Sequence, residues 1–205
     1  DTNTLSRNLG GGAYEDASWA SKIGPPSWLF VGWGVKFLDY DNDGRVDVMV
    51  ANGHVYPEAD RFGGGSTYRQ RLLLHHNQGG GVFTEIGAGD PTLSSPGTAR
   101  GLAIGDVDGD GRLDVLINRQ DAPPRLLINQ WTGGHWLRIA LRGTRSNRDG
   151  VGSVVTVKAG GRQMTAVRLA GDSYLSSSES RLHFGLGLAA KADSIAVKWP
   201  SGLEQ

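Results

Sequence analysis

The sequence predicts an all-β protein, and three features favour this class. Glycine is abundant, at 32 of 205 residues, as is typical of short strands joined by tight turns. The apolar runs at 46–50 and 113–117 are short and end at turn-forming residues. From Trp136 onward, apolar and polar residues alternate as in half-buried strands. No stretch predicts a helix of appreciable length.

An internal repeat organises the first two thirds of the chain. Residues 34–48 recur as residues 101–115 at a constant offset of 67 residues. A second landmark is an asparagine followed closely by three glycines, which occurs at 8–12 and again at 77–81, and a partial third copy begins at 126–129. The repeats therefore predict stacked sheet units, followed by a different β-region.

Each repeat contains a loop with four aspartates at mainly alternate positions and a glycine that permits a sharp turn. So many carboxylates repel one another without a cation, and calcium prefers about six to eight oxygen ligands, including backbone carbonyls. Magnesium is less expected because it requires a stricter octahedron. The predicted ligands of two calcium ions, with the arginines contributing their carbonyl oxygens, are Asp39, Asp41, Asp43, Arg45 and Asp47 in the first loop and Asp106, Asp108, Asp110, Arg112 and Asp114 in the second.

These loops have two alternative interpretations. The helix-loop-helix calcium motif shares the first acidic positions but needs a glutamate at position twelve, where this chain has Val50 and Ile117. Ordinary turns rich in aspartate, asparagine and glycine remain the other alternative. Two loops in one register favour calcium.

Charge and composition limit the possible functions. The net charge is zero, but residues 1–135 carry −5 and residues 136–205 carry +5. The balance argues against nucleic-acid binding, and no apolar run is long enough for a membrane span. There are no cysteines, so disulfides and thiol chemistry are excluded. Residues 1–9 do not read as a signal peptide, and we expect the chain to be a piece of a longer protein.

The motifs resemble two known families. The acidic loops, the lead-in at 34–37 and the glycine-rich hairpin at 77–83 resemble the FG-GAP or VCBS calcium repeats of integrin-like β-propellers. The segments 146–152, 182–187 and 199–202 resemble the ASPIC/UnbV module that follows such repeats in cartilage acidic protein-like and bacterial surface proteins.

The resemblance implies an architecture. Residues 1–133 would form about two blades of a partial β-propeller, and residues 134–205 a small β-sandwich-like domain. Propellers usually close with about four to eight blades. The blades would therefore belong to a longer propeller, or the open sheet edges would pair in a homo-oligomer.

The same resemblance implies a non-enzymatic calcium-binding scaffold for recognition or adhesion, located outside the cell, at the cell surface or in the periplasm. Its partner would be a protein or a carbohydrate ligand. The alternative is a calcium-dependent enzyme or a carbohydrate-binding module acting on polysaccharide. No catalytic residue is predicted, and His54, Glu58 and Asp60 are the only cluster that the enzyme alternative could use.

Histidine and tryptophan offer weaker signals. His75 and His76 could suggest a transition-metal site, but neighbouring residues of a strand point to opposite faces, so the pair is not expected to chelate one ion. Most of the six tryptophans are expected in the core, with Trp28 and Trp33 as candidates for an exposed sugar-stacking surface.

Overall fold

The protein is described by a computed structural model of residues 2–205, and that range is almost entirely β-structure. The helical segments within it are three single 3₁₀ turns, at Pro25–Ser27, Ala59–Arg61 and Gly87–Gly89. The predicted all-β class is confirmed. The strands are β1 (Ser6–Gly10), β2 (Ala13–Asp16), β3 (Gly32–Leu38), β4 (Asp47–Asn52), β5 (Leu73–Asn77), β6 (Phe83–Glu85), β7 (Ala99–Gly105), β8 (Asp114–Arg119), β9 (Arg125–Leu127), β10 (His135–Ile139), β11 (Val154–Ala159), β12 (Arg162–Val167), β13 (Leu182–Gly187) and β14 (Ser194–Lys198).

Two antiparallel sheets correspond to the sequence repeat. The first blade has the strand order β3-β4-β5-β6, and the second blade has the order β7-β8-β9. Both blades contain the same irregularity of register in their first strand pair, between Gly32 and Val35 in β3 and between Ala99 and Leu102 in β7. The irregularities are 67 residues apart, so the repeat in sequence is also a repeat in backbone geometry.

The two blades pack face to face around one apolar core. Met49 of the first blade and Leu102 and Ile117 of the second are fully buried in this core. Gly34 lets strands β3 and β7 approach closely, because a Cβ at this position would lie 2.8 Å from the backbone nitrogen of Leu102. Burial of these side chains supplies the main attraction between the blades.

The other face of the first blade is covered by the N-terminal segment. On the first blade, Val48, Val50, Leu73 and Phe83 pack with Ile23 of the N-terminal segment. The hairpin β1-β2 is a separate two-stranded sheet whose strand residues are all exposed. Within residues 2–205 no sheet closes on itself, as expected for a partial propeller.

The C-terminal region forms two small sheets, β12-β11-β14 and β10-β13. They enclose a second core around Val155, Val157 and Phe184, which matches the expected β-sandwich-like domain. Its predicted boundary at 133/134 stays a prediction. No helix in the described range is long and apolar enough to cross a membrane.

Candidate metal centres

The first acidic loop connects β3 to β4 and turns its aspartates inward. Asp39 accepts hydrogen bonds from the backbone N–H groups of Asp43, at 3.0 Å, and Gly44, at 2.8 Å. Asp41 accepts a longer one from Asp43, at 3.3 Å. Gly44 has a φ of +84°, a conformation that favours glycine, so the turn depends on this residue.

The second loop connects β7 to β8 and repeats these contacts. Asp106 accepts hydrogen bonds from the N–H groups of Asp110, at 3.0 Å, and Gly111, at 2.7 Å. Asp108 accepts one from Asp110 at 3.3 Å, and Gly111 has a φ of +85°. The two loops therefore share one folding pattern, set by their common sequence.

The last aspartate of each loop is held by two backbone donors. Asp47 is 0% exposed and accepts hydrogen bonds from the N–H groups of Tyr40, at 3.2 Å, and Asn77, at 2.8 Å. In the second blade, Asp114 is 1% exposed and accepts the equivalent bonds from Val107 and Asn129, at 2.8 and 2.9 Å. Each loop is thus anchored to the third strand of its blade or to the residues just after it.

The loop arginines form a second link to the same strands. The Nε of Arg45 donates to the carbonyl of Asn77 at 3.0 Å, and the Nε of Arg112 donates to that of Asn129 at 2.8 Å. Each guanidinium also pairs with an aspartate of its own loop. Their carbonyl oxygens as calcium ligands stay a prediction. The sequence contained a signal for the asparagines, because Asn77 stands in the repeated glycine-rich landmark.

The carboxylates come close enough together to hold a metal ion. One carboxylate oxygen from each member of two trios lies within 4.8 Å of the others, and the trios are Asp39, Asp41 and Asp43, and Asp106, Asp108 and Asp114. A third group with the same spacing contains Asp41, Asp47 and His76. The donor set is mainly hard oxygen, which suits calcium.

Electrostatics in the first loop also favour a bound cation. The pKa of Asp39 is raised to about 7, mainly because the side chain is buried. The hydrogen bond from the Gly44 N–H lowers this pKa, whereas the charges of the other loop aspartates raise it further. Burial likewise raises the pKa of Asp47 to about 6, against the N–H groups of Asn77 and Tyr40 that lower it. The ionised loop is therefore costly without a cation, and a divalent ion would offset the repulsion.

The C-terminal region packs directly onto both loops. Arg138 of β10 forms an ion pair with Asp106 at 2.7 Å. Asn42 has a φ of 59° and is almost fully buried; its Nδ2 donates to the carbonyl of Gly111 at 3.1 Å, and its Oδ1 lies 2.7 Å from Nε2 of His183. Asn42 thus joins the first loop to the second loop and to β13. Sequence reasoning missed these contacts because no local pattern marks them.

The residues of the enzyme alternative take part in contacts within their own loop. His54 Nδ1 accepts the N–H of Tyr56 at 3.0 Å, and Asp60 accepts that of Tyr68 at 3.4 Å. Among the hydrogen bonds and ion pairs of residues 2–205, none joins His54 to Glu58 or Asp60. The geometry therefore gives no support to an acid/base pair at this position.

The expectation for the tryptophans is wrong in one respect. None of the six is buried in the described range, although most were expected in the core. Two of them lie against polar side chains instead: Trp136 stacks on His183, and Trp33 lies under the guanidinium of Arg100. Trp28, a candidate for exposure, is 63% exposed.

Two segments of the chain match known protein families. Residues 59–117 match the FG-GAP-like repeat, and residues 143–205 match the family described as ASPIC and UnbV. The chain is therefore similar to an FG-GAP-like repeat followed by an ASPIC and UnbV domain, in the order that the sequence motifs suggest.

Three relatives of the chain are all named cartilage acidic protein 1. The chain is 27% identical to cartilage acidic protein 1 of Homo sapiens and 29% identical to that of Mus musculus, in each case over 98% of this chain. It is 30% identical to the protein of Xenopus tropicalis over 80% of this chain. These alignments cover 37%, 38% and 25% of the relatives, so the chain spans less than two fifths of their length.

Proposed function

We propose that this chain is a calcium-stabilised, non-enzymatic scaffold for recognition or adhesion that works outside the cell. The observation that carries the proposal is the equivalence of the two acidic loops. Each buries a first and a last aspartate, turns at a glycine with positive φ, and is anchored to its own blade. Two loops with unrelated functions would not be expected to share all these contacts.

Calcium acts in this proposal as a structural ion. Each ion would neutralise clustered carboxylates and fix the connection between the first two strands of a blade. The first loop also contacts the C-terminal region through Asn42, so calcium bound in that loop would stabilise the packing of both parts. Affinities of about 10⁻⁴ to 10⁻³ M suffice where calcium is abundant, as it is outside cells. Similarity to cartilage acidic protein 1 supports an extracellular location.

The partner would be a protein or a carbohydrate ligand. Exposed aromatic side chains on one segment support this part of the proposal, since Tyr56 and Phe62 contact each other with ring centroids 6.5 Å apart and both rings are exposed. Exposed aromatic rings serve both sugar stacking and protein contacts. A second chain bound through an open sheet edge is the homo-oligomeric form of the same proposal.

Calcium stoichiometry tests the proposal. Isothermal titration of the chelator-treated chain is expected to give two ions per chain, and one ion for either Asp41→Asn or Asp108→Asn. The double variant is expected to bind none. Asp149→Asn serves as a matched control, because this exposed acid lies outside both loops. A stoichiometry of two that persists in the double variant would show that other residues bind the calcium.

A further inference from the structure

His76 places a nitrogen ligand beside the first acidic loop. Its Nδ1 lies 3.2 Å from Oδ1 of Asp47 and 3.8 Å from Oδ2 of Asp41. The three atoms, one from each side chain, all lie within 4.8 Å of one another. The histidine arrives from β5, so the group is assembled by pairing of strands rather than by the loop itself.

The two aspartate oxygens have lone pairs free for an ion, and Nδ1 of His76 has one in the tautomer that carries its proton on Nε2. Asp41 accepts the N–H of Asp43 through Oδ1, while its Oδ2 faces His76. Asp47 Oδ1 accepts the N–H of Asn77 at 2.8 Å, and a carboxylate oxygen has a second lone pair. The ring of Tyr40 packs edge-on against the imidazole, with centroids 5.7 Å apart, and fixes its orientation. The cluster is therefore ordered by contacts of its own.

The second blade provides an internal comparison. Asn129 binds Asp114 through its backbone N–H as Asn77 binds Asp47, so Ile128 occupies the position equivalent to His76. An isoleucine offers no ligand atom. The two loops therefore share their carboxylates but differ at the one position that would supply nitrogen.

We propose that the first loop also binds a divalent transition-metal ion of the Zn²⁺ class, through His76 Nδ1 and one oxygen each of Asp41 and Asp47. Zinc bonds of about 2.0–2.2 Å in a tetrahedral site separate neighbouring ligand atoms by about 3.4 Å. The separations of His76 Nδ1 from the two aspartate oxygens, 3.2 and 3.8 Å, lie on either side of this value. Imidazole suits zinc, copper, iron and nickel, whereas calcium selects oxygen. Water would complete the coordination.

This site shares residues with the proposed calcium site, because Asp41 and Asp47 would serve both ions. The two ions are therefore expected to compete at the first loop and not at the second. Calcium in excess should therefore displace the transition metal from the site that contains His76.

Cobalt(II) is the probe of choice because its visible absorption reports ligand type and geometry. The chelator-treated full chain, His76→Ile and Asp108→Asn would be titrated with Co²⁺. His76→Ile gives the first blade the residue of the second, and Asp108→Asn alters the second loop only. The intact chain and Asp108→Asn are each expected to bind one Co²⁺ ion, with visible absorption bands that indicate a nitrogen ligand. His76→Ile is expected to lose at least about tenfold in affinity.

The outcomes separate this inference from the proposed function. The same Co²⁺ affinity and spectrum in His76→Ile would overturn it, and so would an absence of Co²⁺ binding in an intact chain that calcium still stabilises. Loss of Co²⁺ binding in His76→Ile, with the calcium-dependent melting shift retained, would support it. Histidine-dependent Co²⁺ binding without any calcium effect would support the transition-metal site and contradict the calcium proposal.

Discussion

Breaking the ion pair between Arg71 and Glu85 is expected to destabilise the first blade. Two guanidinium nitrogens donate to the two carboxylate oxygens at 3.0 and 2.9 Å. The Glu85 side chain is 8% exposed and also accepts the N–H of Gly87 at 2.7 Å. Replacing one partner of such a buried pair leaves the other charge uncompensated, so Glu85→Gln is expected to cost about 2–4 kcal/mol.

The free-energy cost of Glu85→Gln should decrease as the pH falls. Burial alone raises the pKa of Glu85, but the hydrogen bonds and charge of Arg71, with the N–H groups of Gly87 and Leu74, outweigh it and leave the pKa below its usual 4.5. A carboxyl group with a lowered folded pKa adds stability above its unfolded pKa and loses it as the pH falls through the folded value.

Urea denaturation of both proteins at pH 7 and at pH 3.5 measures this dependence. The difference in unfolding free energy between the intact chain and Glu85→Gln should be largest at pH 7 and should shrink at pH 3.5. Arg69→Gln is the control, because its pair with Asp121 is exposed and 3.5 Å long, and it should change the midpoint little. A difference for Glu85→Gln that is small, or equal at both pH values, would refute the reasoning.

Two further predictions concern the contacts between the loops and the C-terminal region. Asn42→Ala, measured by urea denaturation in calcium, should cost about 2–4 kcal/mol, because it removes the contacts with Gly111 and His183 and puts alanine at a φ of 59°. Asn42→Gly should recover about 1 kcal/mol of this, and equal costs would argue against backbone strain. Arg138→Gln should destabilise the calcium-free chain, because Asp106 loses its ion pair. The same change removes a positive charge beside Asp106, so calcium should bind more tightly at the second loop, as measured by isothermal titration. Weaker binding would contradict this.

Much of the fold was predictable because its determinants are local. The constant offset of 67 residues recurs in the irregularities of register, and the aspartate spacing recurs as the same backbone hydrogen bonds. Short apolar runs ending in turn-forming residues became short strands. Such features depend on neighbouring residues, so the sequence displays them directly.

The remaining parts of the site depend on residues that are distant in sequence. His76 reaches the first loop only because β5 pairs with β4, and the sequence around His75 and His76 does not show that pairing. Asn42 meets His183 across 141 residues, and no pattern near either one marks that contact. Exposure of Trp28 was predicted, but that of the tryptophans expected in the core was missed, because composition does not say which apolar face stays uncovered.

Thermal unfolding with and without calcium tests the central claim most directly. With free calcium about one hundred times above the dissociation constant, each site adds about 2.7 kcal/mol, so two sites add about 5 kcal/mol. For a chain of this size, that corresponds to a rise in melting temperature of roughly 10–20 °C. The comparison is between the intact chain and the Asp41→Asn, Asp108→Asn double variant, each after EDTA treatment and then in calcium or magnesium.

A large rise in melting temperature is expected for the intact chain in calcium, a smaller one in magnesium and none for the double variant. If calcium leaves the melting temperature of the intact chain unchanged, the acidic loops are ordinary turns and the central claim is wrong.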